Sequence, residues 1–264
     1  MKKKVCIIYN TAKKEAIKFY EESKVFFENR GIEVQSEIEG SSFVIVIGGD
    51  GTLLRASKKI AIHNKFAIAV NMGSLGFLTD IRKNEAIKVF EEVLNNNYKL
   101  EERHMLEVSI NGKVYTGLNE VVLAKGGVMQ TLIRIRATAK HYINTYRADG
   151  LIVSTPTGST GYSLSAGGPI VQPNLDVLLI TPIAPHNLST RPIILSGNEE
   201  VILKLEETQR SAYIAVDGNE IIEITKDDII KVKYSNKKLK LVLPKSRDYY
   251  SLLREKLKWG DKIC

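Results

Sequence analysis

Cysteine is nearly absent: the only two in 264 residues, Cys6 and Cys264, lie at opposite ends of the chain. That excludes a disulfide framework and a cysteine zinc site, and it fits a reducing compartment. The four histidines, His63, His104, His141 and His186, share no metal-ligand spacing, so no metal is assigned to protein ligands. No apolar run approaches the ~20 residues that span a bilayer. The basic opening Met1-Lys2-Lys3-Lys4 has the charge of a signal peptide, but the apolar run behind it ends at Tyr9, too soon for one. A cytoplasmic protein without membrane contact is expected. Three common site signatures are missing as well. The one Gly-Lys pair, Gly112-Lys113, runs into Val114 and makes no Walker loop; no Gly-x-Gly-x-x-Gly fingerprint occurs; and Ser159 does not sit in a Gly-x-Ser-x-Gly elbow. An ordinary dehydrogenase and a serine hydrolase are thereby disfavoured. The net charge of +8 comes from scattered lysines with neither an RNA-binding aromatic motif nor finger spacing, so no nucleic-acid partner is expected. It reads as solubility and attraction for anionic substrates.

What is present is a chain of 264 residues, 44% of them hydrophobic, long enough for one large or two modest domains. The stretch that organises it is Gly48-Gly49-Asp50-Gly51-Thr52, which follows the apolar run Phe43 to Ile47. A buried strand ending in glycines around one carboxylate lets phosphates or a sugar approach the main chain without meeting a Cβ. Around it strands and helices alternate, which argues for a parallel sheet. Val5 to Tyr9 is a strand. A helix follows, with Ile17, Tyr20, Lys24 and Phe27 on one side and Gly31 at its end. Ile32 to Val34 and Phe43 to Ile47 are strands, Leu53 to Ile62 a helix. Phe66 to Val70 is a strand that ends in the glycine-bearing Asn71 to Leu78, and Asn84 to about Asn96 is a helix with Ile87, Phe90 and Leu94 inward.

After about Leu100 the period becomes two. Leu106, Val108 and Ile110 alternate with polar residues and run into Asn111-Gly112, the strongest short hairpin signal. Strands are expected at Leu132 to Arg136, Leu151 to Val153, Val177 to Ile180, Val201 to Leu205, Tyr213 to Val216, Ile230 to Tyr234 and Leu239 to Leu243. The fold class is therefore an α/β N-terminal domain with a Rossmann-like parallel sheet, plus an all-β C-terminal domain. The C-terminal helix, Ser246 to Trp259, packs back on the first domain. The division expected is 1–100 with 245–264, and 101–244.

Within the β-rich half, Arg147-Ala148-Asp149-Gly150 leads through a strand into Ser154 to Pro169, a segment with four glycines and seven serines or threonines. Buried hydroxyls need partners, so such a segment is poor material for a core and reads as a site. Here the sequence closely resembles the NAD kinases, which convert NAD to NADP. The resemblance rests on Gly48 to Thr52, Asn71 to Phe77, Leu118 to Val122, Asp149 to Pro169, Ala184 to Pro192 and Val216 to Asn219, in fixed order over most of the chain. Lipid kinases of the diacylglycerol or sphingosine type share the Gly-Gly-Asp-Gly-Thr loop but lack the Asn119-Glu120 and Thr155 to Pro169 matches. A dinucleotide-binding sensor without turnover is the non-enzymatic alternative.

The resemblance implies residue roles. Asp50 matches the catalytic aspartate, either general base or the group that steers the adenosine ribose 2′-hydroxyl onto the γ-phosphate. Gly48, Gly49, Gly51 and Thr52 match the phosphate-binding turn, and Gly51 and Arg55 nucleotide contacts. Asn119 and Glu120 match a pair that binds NAD, and Arg147 and Asp149 match further dinucleotide contacts. Thr160, Gly161, Tyr162, Ser163, Leu164 and Ser165 match the loop around the adenosine, and Ala184 the wall beside it. Gln130 and Asn219 match ligand positions whose identity varies. Gly161 stands where many members carry alanine. The implied ligands are NAD and ATP or polyphosphate, with Mg²⁺ arriving on the triphosphate, and the implied assembly is a homodimer or homotetramer. Phosphoryl transfer through a loose transition state leaves the protein mainly to align acceptor, donor and metal.

Overall fold

The structure, a computed structural model, describes residues 3–127, 132–207, 211–245 and 248–259. Gln130 and Cys264 fall outside them. The chain packs as two compact units, Met1–Glu102 with Leu239–Cys264, and Arg103–Lys238. Among the described residues no helix is long and apolar enough to cross a membrane.

The first unit alternates as its sequence pattern demands. In order come β1 (Lys4–Tyr9), α1 (Lys14–Glu28), β2 (Glu33–Gln35), β3 (Phe43–Gly48), α2 (Asp50–Ile62), β4 (Phe66–Asn71), β5 (Ile81–Arg82) and α3 (Lys83–Leu94). β6 (Lys99–Ile110) then carries the chain into the second unit. The strands pair in parallel in the order β2-β1-β3-β4, so β1, β3 and β4 all end on one edge. The order reverses between β1 and β3, and a parallel sheet binds its ligands outside such a point. Every residue of β3 is buried, as a central strand covered on both faces requires. Phe19, Phe27, Phe43 and Phe90 fill the space under α1 and α3 with ring contacts of 5.2 to 6.4 Å.

The buried stripe of α1 is Ala16, Phe19, Ser23 and Phe27, not the expected Ile17 side. Ile17 is 40% exposed, because spacing of three and four from Phe27 back to Ala16 brings Phe19 and Phe27 inward and turns Ile17 out. Ser23 is tolerated there since its hydroxyl donates to Phe19 O at 2.7 Å. Gly31 does end this helix, at φ +70, with Ile32 N donating back to Phe27 O.

The second unit is antiparallel. After β6 come β7 (Lys113–Gly117), β8 (Glu120–Lys125), β9 (Ile133–Thr138), β10 (Tyr142–Ala148) and β11 (Gly150–Ser154). A 3₁₀ turn (Thr157–Thr160) and the one-turn α4 (Tyr162–Ser165) precede β12 (Val177–Ile183), β13 (Ile193–Ser196), β14 (Val201–Glu207), β15 (Ala212–Val216), β16 (Glu220–Ile224) and β17 (Ile229–Leu243). One sheet runs β10-β9-β14-β17, with β6 pairing β17 and β7; the other runs β13-β12-β11-β8-β15-β16. Inward residues of both sheets share one apolar cluster, among them Val121, Ile133, Ile135, Val153, Leu203 and Ile214. Asn111 (φ 49) and Gly112 (φ 80) make the two-residue turn of the β6–β7 hairpin, with Ile110 opposite Lys113, as the Asn-Gly signal predicts.

Two predicted strands, Ile230 to Tyr234 and Leu239 to Leu243, are one. Ile229–Leu243 is continuous, and its last part returns to the first unit, where Lys240 and Leu241 pair in parallel with Phe66 and Ala67. The polar Ser235 to Lys238 between the two apolar patches differs from them in burial, not in backbone. The last helix, α5 (Tyr249–Leu257), is N-capped by Asp248, whose Oδ1 accepts from Tyr250 N and Ser251 N at 2.9 and 3.0 Å. It packs within the first unit, where Glu255 pairs with Arg82 at 2.7 Å.

Candidate active site

The three glycines at the end of β3 are not equivalent. A Cβ on Gly48 would meet Thr52 Oγ1 at 2.4 Å, so packing alone forbids a side chain there. Gly49, the N-cap of α2, is extended (φ −119) and a Cβ on it meets nothing within 4 Å. A Cβ on Gly51, exposed in the first turn of α2, meets only Arg55 Nη1 at 3.7 Å. The fold needs the first glycine; the other two leave open space above the start of α2, whose N-cap has no side chain to bond its free amides. Arg55 is exposed one turn further along.

Asp50, the first residue of α2, turns its carboxylate onto the loop that follows β4. Oδ2 accepts from Phe77 N at 2.8 Å. Oδ1 accepts from Leu78 N (3.1 Å), Thr79 N (2.9 Å) and Thr79 Oγ1 (2.8 Å). Thr79 in turn accepts from Asn71 Nδ2 at 2.7 Å, and Asn71 Oδ1 holds Gly73 N at 2.7 Å. Gly76 is obligatory, since a Cβ there would lie 1.9 Å from Asp50 Oδ1. The stretch Asn71 to Leu78, legible in the sequence as a second glycine loop, is thus the cradle of Asp50. Thr79 was not singled out by any sequence signal. Beside this loop lies a cavity of about 710 Å³ with Phe19, Met72, Leu75 and Ile87 among its walls; none of the predicted site residues lines it.

In the second unit, Asn119 and Glu120 open β8, and their backbone is gripped from two sides. The carboxylate of Asp217, at the β15–β16 turn, accepts from Leu118 N, Asn119 N and Glu120 N at 2.6, 2.8 and 3.1 Å. Opposite, Thr155 Oγ1 donates to Leu118 O at 2.7 Å and Thr155 N to Asn119 O at 2.9 Å. Gly158 packs so closely that a Cβ would lie 2.2 Å from Asn119 O. The side chains are left over: among the described residues, Asn119 Oδ1 and Glu120 Oε2 are buried without a hydrogen-bond partner, as are the neighbouring Ser154 Oγ and Thr157 Oγ1. Buried polar atoms are paired in the great majority of cases, so four unpaired ones in adjoining segments make this a candidate place for a polar ligand. Burial, and secondarily the charge of Asp217, push the Glu120 carboxyl up to about 7.

The segment from Ser154 to Pro169 overturns the expectation that its hydroxyls are unsuited to the interior. Ser154, Thr155, Thr157, Ser159 and Ser163 are all buried, and most of their hydroxyls find local partners. Ser159 Oγ donates to Pro156 O at 2.6 Å and accepts from Val171 N at 3.0 Å, while Ser163 Oγ shares a 2.8 Å bond with Thr181 Oγ1. Ser163 is thereby scaffold, whereas Tyr162 and Ser165 are exposed and Thr160, Gly161 and Leu164 half-buried. A methyl on Gly161 would stand 3.2 Å from Glu120 Oε2, so the missing side chain leaves room beside that carboxylate.

Of the remaining candidates, Arg147, Asp149 and Ala184 gather at the other end of β8, while Asn219 stays with Asp217 at the Asn119-Glu120 end. Asp149 pairs with Lys125 at 2.5 Å, and its N–H donates to Ile183 O at 3.0 Å. Ala184 follows Ile183 with φ +43, a left-handed conformation that costs a non-glycine residue about 1 kcal/mol or more. Arg147 is exposed on β10, and its carbonyl accepts from His186 N at 2.9 Å. Asn219 is exposed and donates to Asp217 O at 3.0 Å. Across β8 and β11 Glu120 stands opposite Ser154 and Ala124 opposite Gly150. Four residues at about 3.4 Å each therefore separate the Asn119-Glu120 end from the Asp149 end by roughly 14 Å.

Residues 9–98 match the ATP-NAD kinase N-terminal domain family and residues 118–243 the ATP-NAD kinase C-terminal domain family. An NAD kinase of Fusobacterium nucleatum subsp. nucleatum is 45% identical over 265 residues, 99% of each chain. One from Geotalea daltonii is 41% identical over 229 residues, 85% of this chain and 81% of its own. The fold is similar to that of yeast NADH kinase complexed with NADH, with a TM-score of 0.86 at 24% identity over 100% of this chain and 89% of that one. It is also similar to an NAD kinase from Archaeoglobus fulgidus in complex with ATP, with a TM-score of 0.81 at 23% identity over 97% and 100%. With both family domains matched in order and a full-length relative at 45% identity, the chain belongs to the NAD kinases, which phosphorylate NAD to NADP.

Proposed function

We propose that the glycine turn at Gly49 and Gly51 receives the phosphates in this reaction, and that the Asn119-Glu120 end of β8 receives the adenosine of NAD. The Asp149 end takes the nicotinamide half. A dinucleotide, two nucleosides joined by a pyrophosphate, has the reach to use both ends of one strand. The γ-phosphate of ATP passes to the ribose 2′-hydroxyl. Asp50 Oδ2, which carries a single donor, has a lone pair left to orient that hydroxyl and take its proton late in transfer. Mg²⁺ would supply charge neutralisation on the phosphates. Since Asp50 Oδ1 is committed to the Thr79 loop, the ion would arrive on the triphosphate and be held largely by phosphate oxygens and water. A cytoplasmic homodimer or homotetramer is the proposed form, paired through edge strands β13 and β16, where Ile194 and Ile221 are 50% and 69% exposed. Turnover with and without chelator reads the ion, and sedimentation the assembly.

The observation that carries this reading is Gly51, a helical glycine that neither φ nor packing requires. Alanine there is the better helix former, by up to about 1 kcal/mol. Gly51→Ala is therefore expected to leave thermal stability unchanged or raised while turnover falls by about tenfold or more, because the methyl takes the ligand's space. Full turnover in a folded Gly51→Ala enzyme, measured as NADP formed from NAD and ATP, sinks the assignment of this turn to phosphate.

A further inference from the structure

One half-buried acid has no part in the steps above. Asp217 stands at the β15–β16 turn in a left-handed conformation, φ 49, and among the described residues its carboxylate pairs with no cation. It collects the three successive amides of Leu118, Asn119 and Glu120, and its own N–H donates to Glu120 O at 3.0 Å. With Thr155 holding Leu118 O and Asn119 O from the other side, the polar backbone of the dipeptide is spent. The side-chain atoms Asn119 Oδ1 and Glu120 Oε2 remain unpartnered. The arrangement also sets two acids near each other, a repulsion that a purely architectural contact could avoid with asparagine or serine.

We propose that Asp217 is a positioning residue for the dinucleotide: it aims the Asn119 and Glu120 side chains and so sets the KM for NAD without touching NAD. The inference rests on Asn119-Glu120 binding the dinucleotide. A side chain aimed wrongly by about an ångström costs binding and alignment, whereas the phosphate turn in the first unit holds ATP through other residues. A merely structural role would instead lower stability and depress all kinetic constants together.

The test compares D217N, D217S and N119A in the full-length enzyme, with KM for NAD, KM for ATP, kcat and thermal unfolding measured for each. Asparagine tolerates the left-handed backbone and keeps one acceptor oxygen, but it turns an amino group toward amide donors. D217N is expected to raise KM for NAD by about tenfold, with kcat and KM for ATP held within about twofold, and D217S to raise it further. If N119A raises KM for NAD but folded D217N does not, positioning by Asp217 is overturned and dinucleotide binding by the pair stands. If N119A has no effect, the reading of the pair falls, and the proposal with it. A joint loss of kcat and both KM values in D217N also overturns it. Should the Asp217 variants fail to fold, amide exchange on the wild-type chain decides. Slow exchange at Leu118, Asn119 and Glu120 before NAD is added supports a preset pair, and exchange as fast as in an exposed turn overturns it.

Discussion

Asp50→Asn is expected to lower kcat by about 10²- to 10⁴-fold, the range lost when a group that handles a proton in the transition state is removed. Part of the loss would come from the loop rather than the chemistry, and the structure separates the two. Four donors converge on the carboxylate, from Phe77, Leu78 and Thr79. In either flip, an asparagine amino group opposes at least one of these N–H groups, at a cost of about 1–3 kcal/mol of stability. Thr79→Val is the control. It removes the Oγ1 bond to Asp50 and the link to Asn71 but keeps the acid, so it should lose similar stability and no more than about tenfold in kcat. Near-normal kcat in Asp50→Asn, with NAD bound as tightly as before, would show that Asp50 supports the loop and nothing more.

Glu120→Gln is expected to make the protein more stable at pH 8 and worse at binding NAD. Burial and the Asp217 charge raise this carboxyl from an ordinary 4.5 to about 7 in the folded state. The native chain therefore binds a proton more tightly than the unfolded one. The stability this contributes is fully present below about pH 4.5 and is lost as pH rises through about 7. At pH 8 the charged form costs the fold up to about 3 kcal/mol. Glutamine is neutral throughout and of the same shape. Unfolding free energies of the two proteins should thus converge near pH 4 to 5, separate as pH rises from there to about 7 and stay apart by a constant margin above it, the variant being higher by about 1–3 kcal/mol. The KM for NAD should rise about tenfold, because the acceptor at Oε2 is halved in charge-assisted bonding capacity. A variant less stable than wild type at pH 8 would contradict this account of Glu120. A stabilising change that weakens function is what a site held at a cost to the fold produces.

Local chemistry made much of this protein readable in advance. The all-apolar β3 followed by three glycines, the alternation ending in Asn111-Gly112, and the change of period near residue 100 each report a backbone preference or a one-residue burial pattern. Such signals survive without knowledge of partners. They located the α/β and β-rich halves and the stretches that carry the candidate site. They erred where burial, not backbone, changed along an element: the polar Ser235 to Lys238 is strand, and Ser154, Thr155, Thr157, Ser159 and Ser163 are interior.

Tertiary structure alone decided which polar atoms are spent and which are free. Asp217 reaches amides 97 to 99 residues away, and Asp50 reaches a loop 27 to 29 residues on. No spacing rule encodes such pairs, since a hydrogen bond depends on separation in space and not along the chain. The same holds for glycines, which look alike as letters: a Cβ at Gly48, Gly76 or Gly158 collides with the fold, and one at Gly49 meets nothing. Sequence determined what kind of group stands at each position. Packing determined whether that group serves the fold or is left over for a ligand.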